Sequence, residues 1–202
     1  MNAFEQKQEI ALRGVALARQ IFREMSVDAM AVEEQLVTEL EGRVVTRLKG
    51  PLTMYLQCAF GDLFFKRGES HRHVCSVEVK TEQRYVTGNL FLETWSNRSR
   101  LTQGWMVSMH ADLLCYVFLD VERAFILGMP RLQNWAYREG GIYRFDEKLC
   151  PVDQLNDTWG RCVPIHVLRR EVGLREWDLR KATFGPTIVP LEGSVATARG
   201  AS

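Results

Sequence analysis

Asp62 and the triplet Glu78-Val79-Lys80 are the residues of this chain whose types and spacing could do chemistry. Between them run Leu63-Phe64-Phe65-Lys66, a polar stretch Arg67-Gly68-Glu69-Ser70-His71, and then His73-Val74-Cys75-Ser76-Val77. Ser70 falls midway between Asp62 and Glu78. A β-hairpin turning there sets the two carboxylates opposite each other, with Cβ atoms roughly 5 Å apart. Side chains alternate between the faces of a strand, so Asp62 shares a face with Phe64, Ser76, Glu78 and Lys80. Leu63, Phe65, Cys75, Val77 and Val79 form the other face, which is apolar throughout and suited to packing against helices.

Two carboxylates at that separation repel by roughly 3 kcal/mol at an effective dielectric near 20. Without a cation, one of them tends to keep its proton. A hard divalent ion removes the conflict, and carboxylate oxygens suit Mg²⁺ or Mn²⁺. Lys80 projects to the same side and can position or deprotonate a water held by such an ion. The plainer reading is a solvated edge-strand face carrying ordinary surface charges, because a pattern of three residues recurs by chance.

Gly61-Asp62 followed by Glu78-Val79-Lys80 resembles the active-site signature of the PD-(D/E)XK nuclease superfamily, which includes Holliday junction resolvases and phage nucleases. The resemblance covers about residues 50 to 127. It implies an α/β fold of the restriction-endonuclease-like kind, a mixed central sheet flanked by helices. It also implies Mg²⁺- or Mn²⁺-dependent hydrolysis of phosphodiester bonds in nucleic acid, DNA foremost. Asp62 and Glu78 would then hold the metal, helped by the Val79 carbonyl, and Lys80 would orient the attacking water. Many members carry a helical acidic residue beside the metal; Glu33 is the candidate here, with Glu9 and Glu34 as rivals. Many act as dimers, which extends a homodimer to this chain as an expectation. Two departures stand out. Gly61 occupies a position where the family often has proline, and Gln103 is followed four residues on by Val107 rather than by the tyrosine of RecB-type members.

A second expectation comes from another class: a nuclease fold that has lost catalysis and serves as a binding or inhibitory module, such as a phage anti-defence protein. The formal net charge of +1 motivates it, since any path for a phosphate backbone must then be local.

The elements that must position these residues can be read from periodicity. Residues 4–25 form an amphipathic helix, with Ile10, Gly14, Val15, Ala18, Ile21 and Phe22 on one side. Ser26 and Asp28 cap a second helix over 28–41, with Ala29, Val32, Leu36, Val37 and Leu40 on one face and Glu33 within it. Strands are expected at 43–48 and 52–60, around the turn Lys49-Gly50-Pro51, although the first stretch could equally continue the helix. A third core strand spans 88–95, a short helix 104–110, a buried fourth strand 111–120, and a further strand 121–127. Glu93, Ser96 and Asn97 could line the cleft; equally, Glu93 could pair with Arg98 or Arg100. Pro130 opens a helix over 131–138 that packs through Leu132, Trp135 and Ala136.

After Gly140-Gly141 the chain reads as polar and irregular to about Arg180, with a basic lean and with Trp159 and Trp177 interspersed. Such a stretch can hold a nucleic acid strand, although acidic residues dilute its charge. The expected organisation is one domain over 1–190, with its core at about 28–138, an irregular region at 141–190 and a frayed tail at 191–202. Hydrophobic residues make up 46% of 202, enough for a sizeable core. Five cysteines without paired metal spacing, and no recognisable signal peptide, fit a reducing cytoplasm. No apolar run reaches the ~18 residues of a membrane span. His71 and His73 lack a third ligand at a matching spacing and read as loop histidines. No phosphate-cradling glycine loop, dinucleotide fingerprint or nucleophilic serine motif is present.

Overall fold

The computed structural model describes residues 3–24, 29–31, 39–40, 43–44, 57–66, 74–150 and 156–180. The hairpin at its centre has the register that the pattern of side chains requires. Strand β4 (Leu63–Lys66) runs antiparallel to β5 (Val74–Glu82), with Leu63 opposite Val77 and Phe65 opposite Cys75. The ladder ends at the Leu63–Val77 pair, and the Asp62 N–H donates to the Val77 carbonyl at 2.8 Å.

Around the hairpin grows a six-stranded mixed sheet. On one side lies β1 (Ala29–Ala31), antiparallel to β4. On the other lie β8 (Leu113–Phe118), β9 (Arg123–Gly128) and β12 (Arg175–Asp178), in the order β1-β4-β5-β8-β9-β12. The β5–β8 pair is parallel, so the chain must cross over between them. It does so through a second, antiparallel sheet of order β10-β11-β6-β7. Strands β6 (Asn89–Asn97) and β7 (Thr102–Gln103) belong to the crossover; β10 (Glu147–Leu149) and β11 (Trp159–Pro164) return later to complete the sheet. A separate two-stranded ladder joins β2 (Glu39–Leu40) to β3 (Arg43–Val44).

The six-stranded sheet separates two apolar cores. Helix α1 (Ala3–Glu24) lays Ala18, Ile21 and Phe22 on Leu63, Phe65, Val77 and Val79, the apolar face of the hairpin. Phe22 stacks on Phe65 with ring centroids 4.8 Å apart. Gly14 brings α1 close to β5, since a Cβ there would overlap the side chain of Thr81. The opposite face carries Leu114, Tyr116, Phe118, Phe125 and Leu127, packed on Leu90, Leu92 and Val163 of the second sheet. Helices α2 (Trp105–Ser108), α3 (Met129–Tyr137) and α4 (Ile165–Glu171) close that core with Trp105, Leu132, Trp135 and Leu168. Each such side chain, fully buried, contributes roughly 2 kcal/mol. No helix among the described residues is long and apolar enough to cross a membrane.

Several expectations need correction. Within the helix expected over 28–41, Ala29–Ala31 and Glu39–Leu40 are strands instead, because an exposed edge of β4 and a short local hairpin take up their backbone hydrogen bonds. Glu33 and its rival Glu34 lie outside the described residues. Residues 57–60, expected at the end of a strand, are helical. The strand at 88–95 exists, but it pairs with β11 and β7 rather than joining the central sheet. The region read as irregular after residue 141 contains β10, β11, α4 and β12. Of these, β11 and β12 pair with β6 and β9, about 50 to 75 residues away, which a local period cannot reveal.

Gly61 fixes the entry to the hairpin. Its φ is +96°, and a Cβ would stand 2.5 Å from the Val77 carbonyl oxygen and 2.7 Å from the Glu78 nitrogen. Both obstacles are backbone, so neither can swing away. Gly61→Ala is expected to lower stability by roughly 3 kcal/mol or more, from positive-φ strain plus a clash at the strand pair. Chemical denaturation measures it; a loss below ~1 kcal/mol would mean that the turn relaxes freely.

Candidate active site

Where β4 ends and β5 continues, a backbone donor loses its partner strand. The Val79 amide is that donor, and the Asp62 carboxylate accepts it in place of a carbonyl, Val79 N–H to Asp62 Oδ2 at 2.9 Å. The other carboxylate oxygen accepts the Gln57 side-chain amide at 2.9 Å. Gln57 belongs to the helical turn at 57–60, which is tied to the hairpin by Gly61 N–H to the Gln57 carbonyl at 3.0 Å and by Asp62 N–H to the Val77 carbonyl at 2.8 Å. Asp62 is thus oriented by two elements at once.

Glu78 and Lys80 lie two apart on β5 and point to the face opposite α1. Glu78 is 4% exposed and forms an ion pair with Lys80, Nζ to Oε1 at 2.5 Å. Burial is the largest influence on Glu78 and drives its pKa up. The Lys80 ammonium pulls it back, while the negative charges of Asp62 and Glu93 push it further, and the result is about 7. Lys80 keeps a third of its side-chain surface in solvent. Burial works against its charge, but Glu78, and then Asp62 and Glu93, more than offset this and raise its pKa. The Nζ also lies 5.6 Å from the centroid of the Trp105 ring, within range of a cation–π attraction.

The geometry therefore brings together Asp62, Glu78 and Lys80, as the alternation requires. It adds three groups that sequence reasoning missed or left open. Gln57 was hidden by the expectation of a strand at 52–60. Trp105 comes from the far side of the crossover and carries no local signal. Glu93, weighed between the cleft and its neighbouring arginines, exerts its charge on both Glu78 and Lys80. Arg98 pairs with Glu147 at 2.8 Å, and the Arg100 backbone amide donates to Asn97 Oδ1. Asn97 and Ser96 serve this local framework: Ser96 Oγ donates to the Thr102 carbonyl at 3.5 Å.

The cluster is rich in oxygen donors and short of positive charge: Glu78 has a high pKa even with Lys80 beside it. Two carboxylates fit Mg²⁺ or Mn²⁺, which keep several waters and take one or two protein carboxylates. Among the described residues, no three His, Cys, Asp or Glu side chains are grouped as a metal cage. All five cysteines are free thiols; Cys115, fully buried, has its pKa pushed up to about 12 by burial and is inert as a nucleophile. No protein-family model, curated protein or solved structure matches the chain.

Proposed function

We propose that this chain is a Mg²⁺- or Mn²⁺-dependent nuclease with a restriction-endonuclease-like core, akin to the PD-(D/E)XK superfamily, that hydrolyses phosphodiester bonds of DNA. The observation that carries this reading is the central hairpin. Residues sixteen and eighteen apart in sequence converge as two carboxylates and an ammonium on one polar patch, at the margin of an apolar core. Asp62 and Glu78, with the Val79 carbonyl, would hold the ion. Bound there, a divalent ion supplies Lewis-acid polarisation of the phosphate and a lowered pKa for the attacking water. Lys80 is placed by Glu78 and Trp105 so that its ammonium offsets negative charge developing on the phosphoryl oxygens. Gln57 and the Val79 amide keep the Asp62 carboxylate from rotating away, which preserves the approach geometry.

A second reading has an observation of its own. Asp62 already accepts two hydrogen bonds, and Glu78 and Lys80 neutralise each other. A cluster satisfied in this way can persist for structure alone, which favours a nuclease fold retained as a binding or inhibitory module.

The two readings part in one experiment. Purified protein is incubated with plasmid, linear duplex and single-stranded DNA, and with RNA, each with Mn²⁺, Mg²⁺ or EDTA, while calorimetry follows Mn²⁺ uptake. Cleavage that depends on the divalent ion, with uptake abolished in Asp62→Asn, is the expected result. Intact substrates throughout, together with no uptake by the unaltered chain, would leave the binding module.

A further inference from the structure

A second polar surface lies at the C-terminal end of α3. A 3₁₀ turn at Ile142–Arg144 follows α3, and Glu171 at the end of α4 reaches both of them through Trp135 and Arg144. Tyr143 is 64% exposed and Tyr137 45% exposed, and their ring centroids are 6.2 Å apart. Most aromatic rings on this side of the molecule are buried in the core, so two exposed rings side by side stand out. The Arg161 guanidinium covers one ring, with its Cζ 5.2 Å from the Tyr143 centroid.

Next to the tyrosines, three guanidiniums gather on one carboxylate. Glu171 receives Arg144 at 2.9 Å, Arg170 at 2.7 Å and, more loosely, Arg138 at 3.8 Å. Trp135 Nε1 also donates to it, at 2.8 Å. A carboxylate offers about four acceptor sites, and each guanidinium brings five N–H donors. Glu171 therefore anchors the arginines without exhausting them, and Arg138 and Arg170 keep 57% and 69% of their side-chain surface in solvent. Charge here is only modestly positive, because Glu139 and Asp146 lie in the same segment. A ligand held mainly by coulombic attraction suits this surface poorly. One that combines flat rings with a few phosphates suits it well.

We infer that this face binds single-stranded nucleic acid, with a base stacked on Tyr143 and the flanking phosphates held by Arg138 and Arg170. The inference does not depend on cleavage: it holds equally for an active nuclease and for a binding module.

The test uses the full chain in EDTA, which prevents cleavage, and fluorescence anisotropy with labelled 12-nucleotide strands of oligo-dT and oligo-U. Tyr143→Ala is expected to weaken binding about five- to hundredfold, while Tyr143→Phe, which keeps the ring, stays close to the parent. The pair Arg138→Gln and Arg170→Gln should reduce the slope of log K against log salt by about 1.4, the value for two single-strand phosphate contacts. These side chains are exposed, and circular dichroism checks that each variant is folded. Unchanged affinity in Tyr143→Ala, or equal affinity for a duplex of the same length, would overturn the inference. Equal binding of a poly-glutamate peptide would overturn it too, in favour of an acidic protein partner.

Discussion

Lys80→Met is expected to reduce divalent-dependent cleavage by about 10²- to 10³-fold, the usual cost of removing one charge that stabilises a transition state. Methionine keeps an apolar stem against Trp105, so packing changes little. The charge is what disappears. With Lys80 gone, Glu78 loses the influence that holds its pKa down, and the carboxyl becomes still harder to ionise. Two effects then follow together: Mn²⁺ binds more weakly near neutral pH, and the bound phosphate lacks its ammonium. Raising the pH separates them, because a more alkaline solution ionises Glu78 and restores metal uptake without restoring the ammonium. Metal uptake by calorimetry should recover as the pH is raised while the cleavage rate does not. A variant that cuts plasmid and single-stranded substrates at the parent's rate would remove Lys80 from the mechanism.

The second large effect concerns stability. The pKa of Glu78 rises on folding from 4.5 to about 7. The folded state therefore holds this proton more tightly than the unfolded chain. Its contribution to stability is fully present below pH 4.5 and is lost as pH climbs through 7. At 1.36 kcal/mol per unit, the loss amounts to about 3 kcal/mol. Glu78→Gln does not ionise. It should therefore be more stable than the parent above pH 7 by roughly 2 to 3 kcal/mol, with the gap closing towards pH 4.5. Urea denaturation at pH 4.5, 6 and 8 measures this directly. The metal reading adds a further condition: saturating Mn²⁺ stabilises the parent at pH 8 and leaves Glu78→Gln nearly unmoved, which narrows the gap. A gap that is constant across the three pH values would show that Glu78 titrates normally.

Both predictions rest on a small piece of the chain whose arrangement was legible in one dimension. The alternation of Leu63, Phe65, Val77 and Val79 against Asp62, Ser76, Glu78 and Lys80 specifies the register of the hairpin, because slipping by one residue would bury the charges against α1. Helix α1, the strand at 113–118 and helix α3 with its Leu132, Trp135 and Ala136 face were legible for the same reason. In the helices a single buried face imposes its own period on neighbouring residues; the strand, buried on both faces, reads as a continuous apolar run.

What lay beyond that period had to wait for three dimensions. Ala29–Ala31 has a helical pattern around it, yet it adds to the edge of β4, where unpaired backbone groups outweigh weak local propensity. The basic residues after 160 looked available for a strand of nucleic acid. Two of them are instead paired: Arg169 with Glu176 and Arg180 with Asp178. The surface with exposed rings lies nearer Tyr143. Local order thus determined which side chains of the hairpin share a face, since covalent spacing and the two-residue repeat of a strand leave little choice. Only tertiary packing decided that Glu93 and Trp105 stand near them, because contacts between distant segments depend on how whole sheets stack and leave no mark in neighbouring residues.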